Sequence, residues 1–131
     1  VLLTIDLRHP LEDALTAMIG EFEAAAQDIC GELDLDIDIR ETARIKAIEF
    51  DDACIAAVAN SADTLELGRM DMVSGAGHDA CNMALIAPTS MIFIPCEDGI
   101  SHNEIENATQ NDCTAGAAVL LRAIRELANS V

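Results

Sequence analysis

The sequence predicts an α/β fold divided between parts of two domains, with the boundary near Glu49. Three patterns predict it. Before the boundary, apolar residues alternate with polar ones, as in an antiparallel sheet with one wetted face. After it, Met91-Ile92-Phe93-Ile94-Pro95 is a continuous apolar run, the pattern of a strand covered on both faces in a mixed or parallel sheet. Between these stretches lie segments with apolar residues at helical spacing, so helices are expected to pack on both kinds of sheet.

In chain order, Leu3, Ile5 and Leu7 alternate with Thr4, Asp6 and Arg8, which predicts a half-buried strand with Asp6 and Arg8 on its polar face. Pro10, Glu12 and Asp13 suit the first turn of a helix. Leu11, Leu15, Met18, Phe22, Ala26 and Ile29 continue it, and Gly31 is the expected stop. Leu33, Leu35, Ile37 and Ile39 then alternate with Asp34, Asp36, Asp38 and Arg40, predicting a second strand whose acidic face is solvated. Residues 44–50 read as a strand or extended connector. Asp51 or Asp52 is placed to cap a helix from about Ala53 to Leu65, with Ile55, Val58, Ala59 and Ala62 on its apolar side. A glycine-containing stretch from Met72 to Asp79 leads into a short helix over 80–87. After the buried run comes a polar loop from Cys96 to Asp112. A last helix carries Ala117, Leu120, Leu121, Ile124 and Leu127 on one face.

Composition narrows the function classes. The 131 residues carry a formal net charge of −17, which disfavours nucleic acid and anionic membrane surfaces as partners. Hydrophobic residues make up 51% of the chain, so disorder is not expected despite the charge. Aromatic residues are only 2%, leaving no stacking platform for bases or sugars. The five cysteines are odd in number and none has CxxC spacing, which points to reduced thiols and a cytoplasmic protein. No apolar run approaches the ~18 residues of a membrane span. The chain opens inside a strand-like segment without Met, and this suggests that sequence upstream is missing.

Two segments carry candidate chemistry. In Ser74-Gly75-Ala76-Gly77-His78-Asp79-Ala80, glycines let backbone approach a ligand, and the helix start that follows offers free N–H groups to an anion or oxyanion. His78 sits there as a possible hydrogen-bond donor; a plain turn with a capping His–Asp pair reads equally well. In Asp98-Gly99-Ile100-Ser101-His102-Asn103-Glu104-Ile105-Glu106, the loop follows the buried strand, where α/β proteins place ligands. His102 could bind a metal, with Glu106 or Asp98 accepting from its second ring nitrogen. A single histidine does not make a metal site, and an exposed loop histidine is the ordinary alternative.

The order and spacing of four stretches resemble the zinc-dependent amidohydrolases that act on N-carbamoyl amino acids, ureidopropionate and allantoate. These stretches are TIDLRHP at 4–10, SGAGHDA at 74–80, PTSMIFIPCEDGISHNEIE at 88–106 and GAAVLLRAIREL at 116–127. The resemblance implies that His102 is a metal ligand and that Arg8 pairs with the substrate carboxylate. It implies that Gly77 and His78 contact the substrate amide or carbamoyl group, with His78 stabilising the developing oxyanion. Glu106 is implied to support His102 from behind. Two divalent ions, Zn²⁺ or Mn²⁺ or another metal, are implied for a complete site, of which this chain supplies one recognisable ligand. Val73 departs from the usual Pro, and Cys81 occupies a variable position. The family's other metal ligands, its general-base glutamate and an asparagine before the first lid strand have no counterpart here.

The resemblance therefore implies the C-terminal part of such an enzyme, inactive in isolation. Residues 1–48 correspond to the end of a ferredoxin-like lid domain that makes a homodimer. Residues 49–131 correspond to the end of an aminopeptidase-like catalytic domain with a mixed sheet. The expected partner is a small carboxylate-bearing substrate, with neither nucleic acid nor membrane. Two rival readings remain open: a non-enzymatic dimerisation module, and a metal-free carboxylate binder using Arg8 and the Gly77–His78 loop.

Overall fold

The computed structural model describes residues 1–129, so the last two residues of the expected 49–131 domain lie outside the described residues. Its regular elements are α1 (Glu12–Glu32), α2 (Asp52–Thr64), α3 (Asp79–Ala84), a 3₁₀ turn at Glu97–Gly99, and α4 (Gln110–Ala128). The chain forms two compact units. Among the described residues, one comprises 1–48 with 73–76, and the other 49–72 with 77–129.

The first unit is built on α1. Acidic Glu12 and Asp13 occupy its first turn, where the helix dipole favours negative charge. Leu11 at the N-cap offers no side-chain acceptor, but His9 Nδ1 accepts from the Leu11 N–H at 3.0 Å. Arg44 ties a later segment back to the helix. Its Nε donates to Glu12 Oε1 at 2.9 Å and its Nη2 to Thr16 Oγ1 at 2.7 Å. The helix passes through Gly31, contrary to the expected stop there. It ends at Leu33, with Asp34 in the left-handed region at φ 54°. The Leu35 N–H reaches the Cys30 carbonyl at 2.9 Å and the Asp34 N–H the Gly31 carbonyl at 3.4 Å. This is the Schellman closure, made here with aspartate where glycine is commonest.

The second unit centres on α2 packed against α4. Asp51 caps α2, its Oδ1 accepting from the Cys54 N–H at 2.9 Å. The Asp51 N–H in turn donates to the Thr89 carbonyl at 3.0 Å, fixing the start of α2 to the 88–95 segment. Ala57, Ser61 and Ala62 of α2 and Val119 and Ala123 of α4 are buried. Small residues on α2 let the two helices approach closely. Gly116 does the same for the extended segment: a β-carbon there would stand 2.5 Å from Ile94 Cγ2. The end of α2 repeats the closure of α1, with Glu66 at φ 55° and the Leu67 N–H on the Ala62 carbonyl at 3.0 Å.

Several expectations are corrected. Residues 3–7, 35–39, 44–50 and 91–95 lie outside any strand among the described residues, and Leu33 and Asp34 belong to the turn that ends α1. Alternation specifies which faces are apolar; a strand also needs a neighbour in register to take its backbone hydrogen bonds. The short helix ends at Ala84, ahead of Pro88, with the N–H groups of Ile86 and Ala87 closing on the Met83 carbonyl. On α2 the expected apolar side holds at Val58, Ala59 and Ala62, which are half-buried or buried. Ile55 is exposed, and Leu120, Leu121 and Ile124 are more than half exposed. Leu120, Ile124 and Leu127 instead line an open apolar groove of about 710 Å³ together with Val58, Ile92 and Ile94. Periodicity finds an apolar stripe but not the element that covers it. No helix among the described residues is long and apolar enough to cross a membrane.

Candidate functional site

Arg8 lies at the end of the first extended segment. Period-two spacing puts it on the same side as Asp6. Its Nε donates to both Asp6 carboxylate oxygens at 3.0 Å, and Nη2 stands 2.5 Å from Oδ2. The guanidinium beside it holds the Asp6 carboxyl below its ordinary range, chiefly through that hydrogen bond. The remaining arm, Nη1, donates to the Gly75 carbonyl. Thus the first unit joins Arg8 to the start of the glycine loop. Ser74 shapes that loop, its Oγ accepting from the Ala76 N–H at 3.2 Å.

Gly77 and His78 continue the loop in the second unit. His78 is the N-cap residue of α3, in extended backbone, and makes no side-chain capping bond. Its carbonyl accepts from the Cys81 N–H at 2.9 Å. The imidazole meets the Phe93 ring edge-on, centroids 5.5 Å apart and planes at 65°. The neighbour comes from the 91–95 segment, which is half-buried to exposed, Phe93 being 46% exposed, and is not covered on both faces as expected.

His102 and Glu106 are brought together, though not as the sequence suggested. His102 is exposed, with φ at 54°. Glu106 Oε2 accepts from the backbone N–H of His102 at 2.6 Å, so the carboxylate engages main chain and the expected ring contact is not the one formed. The loop is closed at its base by Glu97 and Asn107. The Glu97 N–H donates to the Asn107 carbonyl, and Asn107 Nδ2 to Glu97 Oε2, both at 2.7 Å. Sequence reasoning missed this closure. The signal available was weak: two polar residues flanking a loop that turns at Asp98 and Gly99, both at positive φ.

Among the described residues, no group of three or more His, Cys, Asp or Glu side chains could hold a metal ion. In the first unit the Arg8 guanidinium is engaged by Asp6 and the Gly75 carbonyl; in the second, imidazoles stand at His78 and His102.

Comparisons with known proteins identify the family. The family profile described as Peptidase family M20/M25/M40 matches residues 5–126. The chain is similar to an N-carbamoyl-L-amino-acid amidohydrolase from Rhizobium meliloti, with 40% identity over 131 residues, 100% of this chain and 32% of the relative. It is similar to the allantoate amidohydrolase of Escherichia coli strain K12, with 34% identity over 125 residues, 95% of this chain and 30% of the relative. Its backbone superposes on an amidase of the hydantoinase/carbamoylase family from Burkholderia multivorans with a TM-score of 0.85 at 44% identity, covering 88% of this chain and 28% of that one. The chain spans about a third of the length of these relatives.

Proposed function

Since the chain belongs to peptidase family M20/M25/M40, we propose that it is the C-terminal portion of a hydrolase that cleaves the non-peptide C–N bond of N-carbamoyl amino acids, ureidopropionate or allantoate. The observation that carries this reading is the match of residues 5–126 to the family profile, with 40% identity over 131 residues to the Rhizobium meliloti relative.

In this site Arg8 anchors the substrate carboxylate, because a guanidinium fork takes a carboxylate bidentately. Gly77 leaves room for the substrate amide to approach the backbone. His78 donates a hydrogen bond to the oxyanion as the carbonyl carbon becomes tetrahedral, with Phe93 fixing the plane of its ring. His102 is the one metal ligand that the resemblance identifies among the described residues. The family resemblance implies zinc, manganese or another divalent ion, two per complete site. A catalytic zinc takes about three protein ligands. In this reading the remaining ligands come from elsewhere in the complete site, and the chain by itself is inactive.

Residues 1–48 belong in this reading to a lid domain that forms a homodimer, and residues 49–131 to the catalytic domain. The extended segments then find their ladder partners in the rest of the protein. The open groove along α4 supports this, since a face that apolar is unfavourable in water. The protein is cytoplasmic in the same reading.

The test is a chimera in which these 131 residues replace the matching third of the Rhizobium meliloti relative. The chimera is expected to hydrolyse N-carbamoyl amino acids, to lose turnover on His102→Ala, and to bind substrate more weakly on Arg8→Ala. The isolated chain is expected to show no turnover with added Zn²⁺ or Mn²⁺. A folded chimera without activity, or enzyme-like turnover by the isolated chain, overturns the proposal.

A further inference from the structure

We infer that Glu106 is a positioning residue for His102, acting through the backbone. Its carboxylate clamps the His102 N–H and holds that residue in the left-handed conformation from which the imidazole is presented.

Three observations carry this. First, His102 sits at φ 54°, a region where a β-carbon is crowded and which residues other than glycine rarely adopt unaided. Something must hold it there. Second, Glu106 Oε2 receives the His102 N–H at 2.6 Å, a close contact for an N–H donor, with a carboxylate as acceptor. The bond crosses the turn between the two residues, so it constrains the backbone of His102 directly. Third, Glu106 stands on a fixed base. Its own N–H donates to the Asn103 carbonyl at 3.0 Å, and the next residue, Asn107, forms the double closure with Glu97. Asn103 Oδ1 also accepts from the Ile105 N–H at 3.2 Å, tightening the same turn. The clamp thus runs from a closed loop base to the main chain of the histidine.

This differs from the familiar arrangement in which a carboxylate orients a histidine through the ring. A ring contact sets tautomer and basicity. A backbone contact sets where the side chain starts. The importance of the clamp for activity rests on the reading of His102 given above; its existence does not.

Amide hydrogen exchange on the 131-residue chain tests the clamp itself. Glu106→Ala is expected to speed exchange of the His102 N–H roughly tenfold or more, with α4 protection unchanged. Glu106→Gln keeps a neutral acceptor and is expected to restore most of the protection. Unchanged exchange at His102 in Glu106→Ala overturns the inference. So does loss of protection throughout α4, which would make Glu106 a determinant of the fold. In the chimera, Glu106→Ala is expected to lower kcat while KM stays within about twofold, because Arg8 is untouched, and Glu106→Gln to recover part of kcat. A fall in KM-side binding with kcat intact overturns the positioning role. If exchange at His102 responds but the unsubstituted chimera is inactive, the clamp stands and the hydrolase reading falls.

Discussion

Asp6 occupies the guanidinium edge of Arg8 that a substrate carboxylate would use. Both carboxylate oxygens lie 3.0 Å from Nε, and Oδ2 also lies 2.5 Å from Nη2. The two side chains are about 60% exposed, so the pair is a surface ion pair that water and salt weaken. Under the proposed function, Asp6 competes with substrate for Arg8. Asp6→Asn in the chimera is expected to lower KM for a carboxylate substrate roughly two- to fivefold, with kcat unchanged. Steady-state kinetics at two salt concentrations checks this, and the difference should shrink at the higher one.

Asp51 links stability to pH. The N–H of Cys54 bonds to its carboxylate and holds the carboxyl below its ordinary value of 3.8. A group with a lowered folded pKa stabilises the fold above its unfolded pKa, and loses that contribution as pH falls through the folded value. The α2 cap is therefore expected to be intact at neutral pH and to weaken below about pH 4. Asp51→Ala is expected to lower Tm by about 3–6 °C at pH 7 and to have less effect at pH 3. Thermal melts at the two pH values measure it. Asp6 and Asp63, each lowered by a hydrogen-bonded arginine, supply acid sensitivity that remains in the variant.

Gly116 is where α4 meets the 88–95 segment. Gly116→Ala is expected to destabilise the chain by about 1–3 kcal/mol, because the new β-carbon has 2.5 Å to Ile94 Cγ2. A double-mutant cycle with Ile94→Ala should show coupling, the second change relieving part of the first. Additive effects in urea melts would show that the close approach is not the cause.

Ser61 is fully buried between small residues, and its Oγ has no hydrogen-bond partner among the described residues. A buried hydroxyl without a partner loses its solvation uncompensated. Ser61→Ala is expected to stabilise the chain by about 1 kcal/mol. A lower melting temperature in the alanine variant would be the contrary result.

How much of this was legible in advance depended on range. A cap at Asp51 or Asp52 was legible because a capping bond is local, its acceptor and N–H three residues apart, and the structure selects Asp51. The end of α1 did not read correctly. Gly31 looked like the stop, yet Asp34 accepts the left-handed position, and the backbone closure onto Cys30 holds it there. The pair His102 and Glu106 was legible as a motif, but the atom joined was not. Spacing cannot tell a ring nitrogen from a main-chain N–H. The bond from Arg8 to Gly75 was legible only as membership of two motifs in one family.

The sequence by itself determined the helices, the cap of α2, the family and the short roll of candidate residues. Those follow from local spacing and from motif order, which chemistry confines to neighbouring positions. The tertiary structure decided which helix faces are covered, that α4 leaves Leu120 and Ile124 on an open groove, and that the extended segments carry no ladder among the described residues. It also decided that Glu106 acts on a backbone. Burial, pairing and hydrogen-bond partners belong to the space between elements, and a one-dimensional pattern supplies the faces without their neighbours.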